Sequence, residues 1–192
     1  MFNNEISHEE VNALPLLRFE GKTFVISNNK GLYNTFDEIN RASFVGFDTE
    51  TKPNFIKGRS NSVALIQIAL EKKVFLIRIN KTGLVNEICS FFESGVCRIG
   101  IALHDDIKAL RQVKMFDPRE FINLNVLTAE MGIKNQGIRK LAGIILEGRV
   151  SKSQQLSNWE NERLTGSQIN YAATDAWVCW KMYAKLQKEG YV

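Results

Sequence analysis

The chain is poor in the residues that build metal-thiolate sites and disulfide frameworks. Its 192 residues include three cysteines, with no C-x-x-C spacing, and two histidines. Structural zinc sites draw on clustered Cys and His, and small stapled domains need a denser, paired set of half-cystines, so neither is expected. Cys89, Cys97 and Cys179 lie in apolar segments, where a free thiol packs as a small hydrophobe. Proline is also scarce, at three residues, and no repeat, low-complexity tract or Gly/Ser/Pro linker interrupts the sequence. One domain over 1–192, with a motif-bearing core of about 22–190, is therefore expected. Apolar runs such as SVALIQIAL (62–70) fall far short of the ~20 residues that cross a bilayer. The first ten residues, MFNNEISHEE, are acidic and lack the apolar stretch of a signal peptide, so an intracellular, cytoplasmic protein without membrane contact is expected. The net charge of +4 permits a polyanionic partner and specifies none.

What is present is a regular alternation of short apolar patterns. KTFVIS (22–27) has the look of a strand, and GLYNTFDEINRA (31–42) of a helix with Leu32, Phe36 and Ile39 on one face. SFVGFDTE (43–50), SVALIQIAL (62–70) and VFLIRI (74–79) follow as strands, the last two separated by only three residues and so paired as a hairpin. NEICSFFES (86–94) is predicted helical, CRIGIAL (97–103) a strand and DDIKALRQVK (105–114) a helix. FINLNVLTAEM (121–131) begins as a strand and turns helical. NQGIRKLAGIIL (135–146) and SQINYAATDAWVCWKMYAKLQK (167–188) close the chain as helices. A hairpin followed by strand–helix alternation predicts an α/β fold, a mixed central sheet flanked by helices.

Against this pattern five residues are out of place. Strand alternation puts Gly46, Asp48 and Glu50 on one face. Two carboxylates two residues apart repel unless a cation or protons intervene, although a solvated strand end accounts for D-x-E equally well. Gly46 lowers the surface beside them enough to admit a ligand backbone. Asp106 shares a helical stripe with Ala109, Leu110 and Val113 and so faces the core, whereas Asp105 suits the N-cap. Tyr171 and Asp175 stand one turn apart on the last helix, and Ala172, Ala173 and Ala176 would let that helix approach the sheet closely. Trp177 and Trp180 are expected to pack.

These segments resemble the DEDD superfamily of 3′–5′ exonucleases, in the branch whose last motif is Tyr-x-x-x-Asp, and are most similar to ribonuclease D and the Werner-type exonuclease domain. FVGFDTE (44–50) matches the first motif, IALHDDIKAL (101–110) the second and LSNWENERLTGSQINYAATDAW (156–177) the third, in order and over roughly 25–190. The resemblance implies a ribonuclease H-like fold and phosphodiester hydrolysis at a nucleic acid's free 3′ end. It further implies two divalent cations, Mg²⁺ or Mn²⁺, held by Asp48, Glu50, Asp106 and Asp175, with Tyr171 orienting the attacking water. Asp48 would bridge both ions. Oxygen-only ligands do suit hard divalent cations, and paired ions suit an in-line displacement.

For substrate contact the candidates are Thr49, Lys52, Phe55 and Arg59 at and after the first motif, and Lys152 in the polar run before the third. A solvated basic loop explains Lys52, Lys57 and Arg59 as well. Asn123 stands where many members of the family carry an acidic residue. The likeness of the third motif to the Werner-type domain favours DNA over RNA. The alternatives are a ribonuclease D-like RNA-processing exonuclease and a catalytically silent nucleic-acid-binding module of the same fold.

Overall fold

The computed structural model describes residues 2–53 and 61–192. Phe55, Lys57 and Arg59 lie outside that set. A short lead-in helix, α1 (His8–Ala13), precedes strand β1 (Lys22–Ile26) and helix α2 (Leu32–Ile39). Strands β2 (Phe44–Thr51), β3 (Val63–Ala69) and β4 (Lys73–Ile77) come next. Helices α3 (Ile79–Thr82) and α4 (Asn86–Phe92) lead to β5 (Cys97–Gly100), α5 (Leu103–Val113) and β6 (Phe121–Asn123). Then come α6 (Leu124–Glu130), α7 (Ile138–Leu146) and α8 (Gly166–Lys188). The six strands form one sheet in the order β1-β4-β3-β2-β5-β6. β2, β3 and β4 are mutually antiparallel, while β1 joins β4, and β5 and β6 extend from β2, in parallel. This is the mixed sheet expected from the pattern.

β3 is buried along its whole length because helices cover both faces of the sheet. On one face Leu32, Phe36 and Ile39 of α2 meet Val45, Phe47, Ile66 and Ile68, with Phe91 and Phe92 of α4 beneath. On the other face α7 and α8 cover Leu65, Ala69 and Ile99. β2 thus turns Val45 and Phe47 to the first layer and Gly46, Asp48 and Glu50 to the second. Among the described residues no helix is long and apolar enough to cross a membrane, and the three cysteines are unpaired. Cys89 and Cys179 are buried as expected, whereas Cys97 is only half-buried.

Several boundaries differ from expectation by two or three residues, and at β5–α5 and at α7 the reason is identifiable. The strand from Cys97 ends at Gly100, because Ala102 adopts a left-handed conformation (φ 55°) and turns the chain into α5 two residues early. Its N–H donates to Asn123 Oδ1 at 3.0 Å and Asn125 Oδ1 at 3.1 Å, so two asparagines hold the turn. Asp105 therefore sits inside the first turn and caps nothing, and Val113, at 46% exposure, lies off the core stripe. α7 starts at Ile138, three residues late, because the Asn135 side chain instead accepts the Ile6 N–H at 2.8 Å and ties down the lead-in.

The segment before α8 is anchored from the sheet. Arg78, 2% exposed, donates to the backbone carbonyls of Asn161 and Glu162, and Trp159 is fully buried with its ring 6.0 Å from that of Tyr171. α8 then opens on a capping box between Thr165 and Gln168. Trp180 stacks on Phe44 and Trp177 packs on Phe19, as expected for structural tryptophans.

Gly46 is where this helix meets the sheet. A Cβ built there would lie 1.9 Å from the Ala176 carbonyl oxygen. The backbone that Gly46 admits is thus α8's own, which corrects the expectation of a ligand backbone at that position. Gly46→Ala is expected to destabilise the fold by about 3 kcal/mol or more, the upper range for overpacking. Gly95→Ala, where a Cβ meets nothing within 4 Å, should leave the urea midpoint nearly unchanged.

Candidate active site

Three carboxylates converge where β2 ends under α8. One oxygen each of Asp48, Glu50 and Asp175 lies within 4.8 Å of the other two. Their arrival follows from local structure. Asp48 and Glu50 share the α8-facing side of β2, and Asp175 lies one residue before the Ala176 that touches Gly46. The pairing of β2 with β3 shifts register just after Glu50, a bulge at the rim of the site. Ala172, Ala173 and Ala176 are all buried, which is how the small face of α8 brings a carboxylate down to the sheet.

Burial and like charge act on this cluster together. Desolvation pushes the Asp48 carboxyl well above its usual range, and the Asp175 and Asp106 charges add to it; the Thr49 N–H, donating to Asp48 Oδ1 at 2.9 Å, opposes the shift. Glu50 is raised to about 9, first by desolvation and then by Asp48, Asp175 and Asp106. Desolvation raises Asp175 to about 7, against the opposing influence of the neighbouring Tyr171 hydroxyl. Burial, then Asp175 and Glu50, push the Tyr171 phenol upward, so it keeps its proton. Such a cluster is held together by protons or by cations. Its all-oxygen donor set and close spacing fit a hard divalent cation such as Mg²⁺ or Mn²⁺.

Asp106 stands apart from the converging three. Thr49 Oγ1 donates to its Oδ1 at 2.5 Å, and desolvation raises its carboxyl to about 6, against that bond. Thr49, expected to meet substrate, therefore spends its hydroxyl proton on orienting Asp106. A cleft of about 220 Å³ opens on Asp48, Glu50, Tyr171 and Asp175, walled by Ile101, Ile138 and Gln155. Lys52 lies 3.4 Å from Glu160, so its ammonium is paired across the rim. Lys152 is exposed between Ser151 and Ser153, which border Tyr171 in an adjoining cavity. Phe55 and Arg59 fall outside the described residues.

Some contributors lie outside the site residues singled out from the sequence. Gln67 is completely buried in β3 directly opposite Asp48, its amide atoms without a geometrically formed hydrogen bond. It is close enough to Glu50 to oppose the upward shift there. An apolar-strand glutamine is a visible anomaly, and one polar residue at the third inward position of SVALIQIAL could have drawn attention. Asn123 and Asn125, by holding Ala102, set the start of the helix that delivers Asp106.

A family profile for the 3′–5′ exonuclease matches residues 23–190. The mouse bifunctional 3′–5′ exonuclease/ATP-dependent helicase WRN is 29% identical over 191 residues, covering 92% of this chain and 13% of that protein. Among solved structures, the Nibbler EXO domain of Aedes aegypti superposes with a TM-score of 0.79 at 23% identity, over 88% of this chain and 89% of that one. Escherichia coli RNase D superposes at 0.75 and 18% identity, over 89% and 47%. The architecture is thus ribonuclease H-like, as expected. The chain spans roughly half or less of the length of the curated relatives it matches.

Because the folded chain binds protons at these carboxyls more tightly than an unfolded one, their stabilising contribution is complete below about pH 4. It is lost as pH rises through about 6 for Asp106, 7 for Asp175 and 9 for Glu50. In chelator the melting temperature is expected to fall across that window. Added Mg²⁺ or Mn²⁺ should raise it more at about pH 8 than at about pH 5, since cations replace protons. Thermal melts in both buffers check this; an equal metal-induced rise at the two pH values would be incompatible with it.

Proposed function

The chain belongs to the 3′–5′ exonuclease family, and on that premise we propose that it removes nucleotides hydrolytically from the 3′ end of a nucleic-acid strand, with Asp48, Glu50 and Asp175 holding divalent cations. The observation that carries this reading is the convergence of those three carboxylates within 4.8 Å at the floor of an open cleft. Bound there, two Mg²⁺ or Mn²⁺ ions would neutralise the site and supply an activated water and a stabilised leaving oxygen.

The protein's own groups do the rest. Asp48 is fixed by the Thr49 N–H and is central to the repulsion, so it is the ligand best placed to be shared. Glu50 and Asp175 complete the cluster from two different elements. Tyr171 stands one helical turn from Asp175 on the cleft wall and keeps its proton, so it orients a water and does not act as the base. Asp106, steered by Thr49, supports the site from its margin. Ile101 and Ile138 narrow the cleft and limit bulk water at the scissile bond.

We take the polymer to be DNA, on the likeness of the third motif to the Werner-type domain and the match to a helicase-linked exonuclease. A ribonuclease D-like role is the second reading; it is favoured by the superposition on RNase D, described as an exoribonuclease involved in structured RNA processing.

Asp48→Ala is expected to abolish release of nucleotides from 3′-end-labelled strands in Mg²⁺ or Mn²⁺. Tyr171→Phe should reduce turnover by about a hundredfold, the scale of a misplaced nucleophile, with an unchanged circular dichroism spectrum. Near wild-type cleavage by purified Asp48→Ala would sink the proposal. End-labelled single-stranded DNA, recessed duplex and RNA in parallel decide the polymer.

A further inference from the structure

Three cavities run in series along one side of α8. The catalytic cleft of about 220 Å³ shares Tyr171 and Asp175 with a second cavity of about 280 Å³. That cavity shares Leu16, Leu17 and Arg18 with a third, a groove of about 880 Å³. Helical spacing explains the line. Asn170, Thr174, Trp177 and Lys181 form a stripe next to the one that carries Tyr171 and Asp175.

The third cavity is the chemically distinctive one. Arg18, Lys22, Lys72, Lys73 and Lys181 line it against only Glu20 and Glu71, in a chain whose whole excess charge is +4. Lys73 is paired with Glu38. Among the described residues Arg18, Lys22, Lys72 and Lys181 make no ion pair. The Lys181 ammonium lies 4.5 Å from the centroid of the Trp177 ring, and Phe19 packs against that ring at 5.8 Å. Ammonium groups beside an aromatic wall are the composition with which proteins track single strands.

The groove is also built. Its outer wall is the segment from Pro15 to Lys22. Leu17 N–H donates to the Arg149 carbonyl at 2.8 Å and Arg149 N–H to that of Pro15 at 2.9 Å. Phe19 N–H donates to Thr174 Oγ1 at 3.2 Å and Lys22 N–H to the Lys72 carbonyl at 3.0 Å. Gly21 is required there, because a Cβ would stand 2.4 Å from that same carbonyl oxygen. A wall fixed in this way needs no backbone ordering when a strand's phosphates are met.

We infer that this groove holds the 5′ portion of the single strand whose 3′ end occupies the catalytic cleft, with Arg18 at the passage between them. The inference rests on the exonuclease reading, since a strand fed 3′ end first into the cleft must trail its backbone outward. The lining residues shared from one cavity to the next make the basic groove a path for that backbone.

The test compares wild type with a Lys22→Gln/Lys72→Gln/Lys181→Gln variant and a control, Lys30→Gln/Lys188→Gln, whose lysines are exposed outside the groove. Binding of fluorescein-labelled single-stranded DNA and RNA is measured by anisotropy in chelator over a range of salt. Cleavage with Mg²⁺ is measured on a series from dinucleotide to dodecamer. The groove variant should lower the log–log salt slope by about 2, three single-strand phosphate contacts at about 0.7 each. It should also lose the rise of kcat/KM with strand length that wild type and control show. If wild type cleaves but the groove variant matches the control in slope and length dependence, the groove assignment is overturned while the exonuclease reading stands. If wild type cleaves no strand of any length, the exonuclease reading itself fails. Blunt duplex DNA is titrated in the same way, and a slope change seen only with it would overturn the single-strand assignment.

Discussion

The approach of α8 to β2 at Gly46, backbone against backbone, is the constraint on which the site depends. The Ala176 carbonyl occupies the space where any other residue at position 46 would place a Cβ. Because Asp175 precedes Ala176, the same contact sets how near its carboxylate comes to Asp48 and Glu50. The alanines of α8, the anchoring of the 159–162 segment by Arg78, and the Thr165 capping box all serve to hold this helix at one height and rotation. A close-packed interior transmits such a requirement without slack.

That approach has an electrostatic cost, and the cost is what makes the site chemically useful. Three carboxylates partly withdrawn from water within 4.8 Å of one another resist ionisation, as the upward shifts of Asp48, Glu50 and Asp175 express. A divalent cation relieves both desolvation and repulsion at once. The Lys52 ammonium, just beyond the first motif, is drawn to Glu160. Tyr171, beside Asp175, opposes the upward shift on that ligand while remaining a neutral phenol itself.

The segment before β1 extends this logic away from the chemistry. Its backbone is tied to Arg149, Thr174 and Lys72, so it belongs to the same rigid frame as the catalytic helix. It makes one side of α8 a walled, cationic groove, linked to the cleft through residues that line the cavity between them. Function on one helix is thereby divided between adjacent stripes, with acid and phenol on one and indole and ammonium on the next.

Local pattern was sufficient for most of the architecture. Period-two alternation placed Asp48 and Glu50 on a common face, a three-residue spacer paired β3 with β4, and i, i+4 spacing joined Tyr171 to Asp175, because these relations depend only on backbone geometry. The resemblance of three motifs then named the chemistry. Sequence could not reveal that Gly46 makes room for Ala176, that Thr49 turns its hydroxyl to Asp106, or that Asn123 and Asn125 hold Ala102 and so displace Asp105 from the cap. Nor could it bring Arg18, Lys72 and Lys181 into one groove, or set buried Gln67 opposite Asp48. These are contacts between segments tens of residues apart, settled by how helices seat on a sheet. The sequence by itself determined the elements, the faces they present and the acids they carry; tertiary structure decided which acids converge and which basic residues line the way to them, because distance through space follows from packing and not from order along the chain.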